Sequence, residues 1–427
     1  MTRLRQNPFK TAFVSLGLLL GSFAVAQHVS FKLETTPSTI SPDQVSGFNF
    51  GNFMNIIEFL KDFQSLGPRV IRFPGGNIGD EYNMGEVNFT GLKNNWLLLN
   101  KPRVVIQTRV FARANETRAE NTPEDAANLV KLAKAFEIPV LYWEIGNEPD
   151  LYAVNRGDPS WTPEKYCDTF RAQREAMLKV DPTIKLIGPS ISGAGNRFFV
   201  EGFVKKCGDI VDVLSWHEYP TDGSATEEFA LNSVNGVSND LEFYKNLWKD
   251  PERNPLGYQR KIELGMTELG LSWRSPSYRH LADQVAALWA IESTLRLAEG
   301  GMQLINYFAL QGTQGHGLIG DDFTYRPTYY AFQMLKDFYG SSLKVTPSDP
   351  SLWSHAVERD GKLQLLLMNP ATSSKTIQTD LAGWKLSAAE GFTEQVVKDE
   401  APNIQFPLGS TLEVPARSFV KLIFEKQ

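Results

Sequence analysis

The chain has 427 residues, enough for a barrel of about 250 to 300 residues with an appended module. Apolar residues make up 42 % and charged residues 22 %, the balance of an ordinary globular protein with a sizeable core. A net charge of −6 and the lack of a long Lys/Arg run exclude a phosphate-tracking groove, so nucleic acid is not an expected partner.

Residues 1–26 have the grammar of a cleavable export signal. Arg3, Arg5 and Lys10 precede an apolar stretch over 12–23, and Ala24-Val25-Ala26 supplies the small residues of a cleavage site near Ala26. The stretch is shorter than the roughly 20 residues that a spanning helix needs. No other segment could span a membrane, so the expectation is a secreted or periplasmic protein that is free of the membrane once the signal is removed.

Residues 27–45 follow, where Val29, Phe31 and Leu33 alternate with polar residues; this strand is expected to join a sheet formed later in the chain. Over 46–340 there are eight short apolar runs, at 47–52, 69–74, 103–110, 139–147, 184–190, 211–217, 262–268 and 302–310. Longer amphipathic or turn-rich segments separate them, as in repeated βα units, and eight is the number that closes a (β/α)8 barrel. Ala126, Leu129, Val130 and Ala133 recur at helical spacing, as do Val285, Leu288, Trp289 and Ile291, while Pro123 and Pro163 suit first-turn positions. From 341 to 427 the pattern changes to strands without helices, at 352–357, 362–368, 376–380 and 418–424, with 346–350 as the expected linker. The fold class is therefore α/β: a (β/α)8 TIM barrel with a C-terminal all-β sandwich. Two cysteines, Cys167 and Cys207, fall in helical patterns, and either a disulfide between neighbouring helices or two buried thiols fits them.

The most informative stretch is 143–150, WEIGNEPD. A buried-strand pattern ends at Gly146 and Pro149, leaving Glu148 at a sheet rim. A second run, 262–268, delivers Glu268 just before Leu269-Gly270. Two acids at strand ends of a barrel point to glycosidic bond cleavage. Other chemistries fail. The stretch Gly188-Pro189-Ser190-Ile191-Ser192 lacks the last glycine of a nucleophile elbow, and His217-Glu218 lacks the second His of a zinc protease. Five scattered His form no metal set, and no phosphate-cradling or dinucleotide glycine loop is present, so no cofactor or metal is expected.

Four motifs in order, VIRFPGGN at 70–77, WEIGNEPD, SWHEYP at 215–220 and MTELG at 266–270, resemble the clan A glycoside hydrolases, in the branch containing families 39, 51 and 79. The resemblance covers the barrel and, more weakly, the trailing sandwich. It implies Glu148 as acid/base, Glu268 as nucleophile, and Asn147 as a contact to the sugar 2-hydroxyl. His217 and Tyr219 match its His-x-Tyr positions, which meet nucleophile and substrate. Arg72, inside a strand, is counted among the substrate-binding candidates and needs a carboxylate partner: Glu268, or Glu144 or Glu263 in the barrel floor. Gly75-Gly76-Asn77 allows close approach of a ligand, and Glu81, Trp273, Tyr307, Gln311 and His316 follow predicted strands and are candidates to shape subsites. The chain departs from family 51 in having Leu269 rather than an aromatic after the nucleophile, while Asp150-Leu151-Tyr152 resembles the glucuronidase and heparanase family. The expectation is a secreted retaining exo-glycosidase, a β-glucuronidase, β-xylosidase or α-L-arabinofuranosidase. An endo-acting glycanase and a catalytically silent carbohydrate-binding barrel are the alternatives.

Overall fold

The computed structural model describes residues 28–51, 57–81, 83–110, 122–312, 315–320, 323–394 and 404–427. The expected export signal, 1–26, lies outside the described residues, as does the side chain of Glu81. Among the described residues no helix is long and apolar enough to cross a membrane.

All eight apolar runs are strands, and they close one barrel: β2 (Gly47–Asn49), β3 (Val70–Phe73), β4 (Arg103–Thr108), β5 (Val140–Ile145), β6 (Leu186–Ile191), β7 (Val213–Glu218), β8 (Glu263–Leu269) and β9 (Leu304–Tyr307). Pairing is parallel throughout, and Phe48 opposite Tyr307 closes the ring. The strands are apolar on both faces because side chains fill the barrel interior on one side and meet helices on the other. The helices start where polar caps occur. Thr122 accepts a hydrogen bond from the Asp125 amide ahead of Pro123–Ala135, and Thr162 does the same from the Lys165 amide ahead of Pro163–Val180. Ala126, Leu129, Val130 and Ala133 then face the core.

The barrel is flanked by a seven-stranded antiparallel sheet. Its members are β1 (Phe31–Ile40), β10 (Gly340–Pro347), β11 (Trp353–Arg359), β12 (Lys362–Asn369), β14 (Trp384–Thr393), β15 (Ile404–Gln405) and β17 (Ser418–Lys426), in the order β1-β10-β11-β12-β17-β14-β15. A two-stranded ribbon, β13 (Lys375–Gln378) with β16 (Thr411–Val414), covers its outer face. Period-two alternation along β12 separates the two contacts. Leu363, Leu365 and Leu367 meet Ile377, Leu412 and Val414, whereas Leu366 and Met368 join the barrel core. Each fully buried Leu stabilises the sandwich by about 1.5–3 kcal/mol.

Two expectations change here. The stretch 346–350 is not wholly a linker, because β10 runs to Pro347; its Gly-Ser-Ser start reads as surface, yet Leu343 and Ser342 are buried against neighbours. Strands β10, β14, β15 and β16 also add to the four that the sequence suggested.

An ionic clamp joins sheet and barrel. His355 on β11 bonds Glu299 through Nδ1 (2.8 Å) and Glu292 through Nε2 (2.9 Å), both carboxylates being on helix Gln284–Glu299. Burial alone would lower the pKa of His355, but the two carboxylates outweigh it and push it up to about 10.

Cys167 and Cys207 form a disulfide between helices Pro163–Val180 and Arg197–Cys207, 40 positions apart in sequence. Closing a loop of that size restricts the unfolded chain by about 4 kcal/mol in the chain-entropy account, and measured effects run about 2–4. The double variant Cys167→Ala, Cys207→Ala is therefore expected to lose about 2–4 kcal/mol in urea unfolding; an unchanged midpoint would show that the bond carries no such load.

Candidate active site

Glu148 and Glu268 meet at the C-terminal rim of the barrel, where successive βα connections leave a cleft. β5 ends at Ile145, Gly146 turns the chain at φ 75°, and Glu148 itself sits at φ 49°, in the left-handed region that a non-glycine residue seldom occupies. Its backbone is tied down: the amide donates to Ser190 O (2.9 Å) and the carbonyl accepts from the Leu151 amide (2.9 Å). Glu268 lies within β8, at a point where the register with β9 shifts between Met266 and Leu269 and the register with β7 shifts between Trp216 and His217. Such irregularities re-aim side chains at barrel rims. One carboxylate oxygen from each acid and one ring nitrogen of His217 all lie within 4.8 Å of one another.

The cleft above them holds about 580 Å³. Gly76, Asn77, Asn147, Tyr219, Ser192 and His316 give it polar walls, and Trp273, Phe308 and Leu151 give it apolar ones. Gly76 is at φ 67°, and a Cβ there would stand 3.5 Å from Glu268 Oε1 and 3.4 Å from the Phe308 ring, so the backbone itself forms that wall.

Beneath the acids lies Arg72, fully buried. Its Nε donates to Glu144 Oε2 (2.5 Å), Nη1 to Glu268 Oε1 (2.7 Å) and Asn49 Oδ1 (2.9 Å), and Nη2 to Asn147 Oδ1 (2.9 Å). Tyr219 donates to the other Glu268 oxygen at 2.7 Å. Burial pushes the Glu268 pKa upward, but His217, Arg72 and the Tyr219 hydroxyl outweigh it, so Glu268 is held below the usual carboxylate range. Glu148 goes the other way: burial raises its pKa, the negative charge of Glu268 adds to that, and the opposing effect of His217 is smaller. Two similar acids are thus driven apart, one ionised and one able to hold a proton.

The structure brings most of the candidate residues together, but not all in the expected role. Asn147 and Asn77 line the cleft, and Asn147 Nδ2 donates to Asn77 Oδ1 at 3.3 Å. Arg72 and His217, expected to contact substrate, are both 0 % exposed; they lie under the floor and reach a ligand only through other groups. Arg72 takes both Glu268 and Glu144, because a guanidinium fork has donors in several directions. Glu263 is instead bonded by Tyr142 and by Lys185 Nζ (2.6 Å). Tyr307 does not belong to the site. It is 4 % exposed with its ring 4.9 Å from that of Phe332, and the next residue, Phe308, faces the cleft. Trp273 and His316 line the cleft, whereas Gln311 is buried off its lining.

Residues that sequence reasoning missed are Asn49, Ser190, Thr267 and Phe308. Asn49 had a readable signal, the same one that marked Arg72: a polar side chain inside an apolar barrel strand. Glu148, His217 and Glu268 lie close enough to share an ion, but both His217 nitrogens and both Glu268 oxygens already have hydrogen-bond partners, and the Arg72 guanidinium 2.7 Å from Glu268 opposes a cation there.

No family model matches the chain. It is 25 % identical over 247 residues to heparanase of Rattus norvegicus, an alignment covering 53 % of this chain and 44 % of that protein. It is 23 % identical over 299 residues to a beta-xylosidase of Caldicellulosiruptor saccharolyticus, covering 64 % of this chain and 57 % of the relative. The chain thus spans about half the length of these curated relatives. Among solved structures, the family 51 arabinofuranosidase from Xanthomonas axonopodis pv. citri superposes with a TM-score of 0.68, at 17 % identity, over 93 % of this chain and 100 % of that one. That likeness carries the fold, a barrel with an attached sheet. Together the sequence and fold comparisons support a clan A glycoside hydrolase type, of the branch with families 39, 51 and 79.

Proposed function

We propose, from that likeness to clan A glycoside hydrolases, that this chain is an exported retaining glycosidase acting on oligo- or polysaccharide glycosides, with Glu268 as nucleophile and Glu148 as acid/base. The observation that carries the reading is the pair itself: one oxygen of each carboxylate within 4.8 Å of the other, with pKa values displaced in opposite directions. Retaining enzymes hold their carboxyls about 5–5.5 Å apart, whereas inverting ones leave about 6.5–9.5 Å for a water. Ionised Glu268 attacks the anomeric carbon while Glu148 protonates the departing oxygen, giving a glycosyl ester on Glu268 and a Glu148 carboxylate. That carboxylate then takes a proton from water, which displaces Glu268 and restores both groups. Asn147, held by Arg72 at Oδ1, presents its amide at the cleft for a sugar hydroxyl. The signal-like 1–26 and the Cys167–Cys207 disulfide support export, since disulfides persist in oxidising compartments.

The test is a panel of aryl xylosides, arabinofuranosides, glucosides, galactosides and glucuronides, with product stereochemistry followed by NMR. Turnover with retained configuration supports the assignment and names the sugar. Inversion would remove Glu268 from the nucleophile role, and no turnover on glycosides or polymers would leave a carbohydrate-binding barrel.

The pH profile follows from the two shifts. Activity needs ionised Glu268, so it is lost as pH falls through a lowered pKa, and it needs protonated Glu148, so it is lost as pH rises through a raised one. In Glu148→Gln the alkaline limb should disappear. Turnover of substrates with poor leaving groups should drop about 10²–10⁴-fold, and that of activated aryl glycosides less at the glycosylation step. An alkaline limb that survives this substitution belongs to another group.

A further inference from the structure

Below the two acids runs a closed set of hydrogen bonds among groups that are all 0 % exposed: His217, Thr267, Ser190, Ser215, Glu144 and Arg72. His217 Nδ1 is 3.0 Å from Glu148 Oε1, and its Nε2 is 3.1 Å from Thr267 Oγ1. Thr267 Oγ1 is 3.3 Å from Ser190 Oγ, which is 2.5 Å from Glu144 Oε1 and 2.7 Å from Ser215 Oγ. The other Glu144 oxygen accepts from Arg72.

The proton positions in this chain can be deduced from its end. Glu144, ion-paired with Arg72, only accepts, so the single hydroxyl proton of Ser190 goes to it. Ser190 then accepts from both Ser215 and Thr267, which spends the proton of Thr267. Thr267 has only lone pairs left for His217, so Nε2 must carry a hydrogen.

We infer that Glu144, Ser190 and Thr267 are positioning residues that fix the His217 proton on Nε2 and leave Nδ1 as its titrating face, turned to Glu148. This rests on the reading of Glu148 as acid/base. The charged groups facing His217 are Glu148 on the loop after β5 and Glu268 on β8, whose Oε2 is 3.7 Å from Nδ1 and also accepts from the Tyr219 hydroxyl, with Arg72 on β3 bonded to the other Glu268 oxygen. In this tautomer a neutral imidazole can only accept from Glu148, so one proton is shared between Nδ1 and Glu148 Oε1: on the carboxyl it is placed for leaving-group protonation, and on the ring it gives the imidazolium whose charge helps to hold Glu268 ionised. Once Glu148 has passed its proton to the leaving group, the neutral ring offers the carboxylate no donor, which favours the return of a proton from the incoming water. A neutral Nδ1–H ring would do the reverse and stabilise the carboxylate at the wrong stage.

Thr267→Val removes the acceptor of Nε2–H without changing side-chain shape, and Ser190→Ala frees the Thr267 proton to turn toward Nε2; both let the ring carry its hydrogen on Nδ1. With ¹⁵N-histidine labelling and His217→Asn for assignment, wild type is expected to show Nε2 protonated at every pH, and each variant a neutral Nδ1–H ring. In kinetics on a substrate with a poor leaving group, both variants should lose about tenfold in kcat/KM on the alkaline side and little on the acid side. An Nδ1–H neutral ring in wild type, or a loss uniform across pH in both variants, would overturn the inference. If wild type hydrolyses no glycoside, the glycosidase reading fails separately, and the wild-type spectrum still decides the tautomer.

Discussion

Glu268→Gln is expected to reduce kcat by about 10⁴-fold or more, the scale on which loss of a covalent nucleophile is felt. The amide is nearly isosteric and its oxygen can still accept from Arg72, so ligand affinity should stay within about tenfold of wild type. A calorimetric titration with the sugar identified by the panel, set beside kcat, separates the two effects. With Glu268→Ala and added azide, direct displacement of an activated aryl group should give a glycosyl azide of inverted configuration, because one displacement replaces two. A kcat within tenfold of wild type would place the nucleophile elsewhere.

Arg72→Met should have the largest effect on the fold. Arg72 is the cation between Glu144 and Glu268, and removing one partner of a buried ion pair costs about 3–5 kcal/mol because the charge left behind has lost its water as well. The sign on the site follows too. Without the guanidinium Glu268 loses a group that lowers its pKa, so the acid limb of the activity profile should move up. Arg72→Met combined with Glu144→Leu should regain much of the lost stability, since an apolar pair replaces the orphaned carboxylate, but should not return the acid limb. Urea unfolding and pH-rate profiles on both proteins check this. Equal stability of the single variant and wild type would mean that water reaches Glu144. Lysine would be a poor substitute, as one ammonium cannot reach the four acceptors that the guanidinium spans.

How much of this was legible depended on whether a signal was local. The eight barrel strands were readable because each is a compact apolar run between turn residues. Glu148 and Glu268 were readable because a strand pattern stops beside each. Partner choice was not. Arg72 announced a buried charge, but its choice among Glu144, Glu263 and Glu268 depends on which strands are neighbours and how far along each strand the acid sits. Tyr307 and Phe308 show the limit more sharply. With a period of two, a one-residue error in the facing of β9 exchanges core for cleft, and both residues are aromatic. Strand β10 was obscured by Gly340, Ser341 and Ser342, whose place in a sheet comes from β1 and β11 rather than from their own preference. Thr267 and Ser190 carried no signal at all, since a hydroxyl inside a strand becomes informative only when its neighbours across the barrel are known.

The pairing of β1 with β10 also bears on how the molecule is made. β1 emerges from the ribosome, or from an export channel, ahead of the whole barrel, yet the bond from Thr36 Oγ1 to Ser342 O joins positions 306 apart. For most of synthesis Phe31 and Leu33 have no neighbouring strand, and an unpaired edge with apolar residues is a template for association with other chains. The barrel can assemble before β10 exists, but the sheet cannot. Its edge strand is the first described strand to emerge and among the last elements to dock, so the long-range contacts of this sheet form late and slowly.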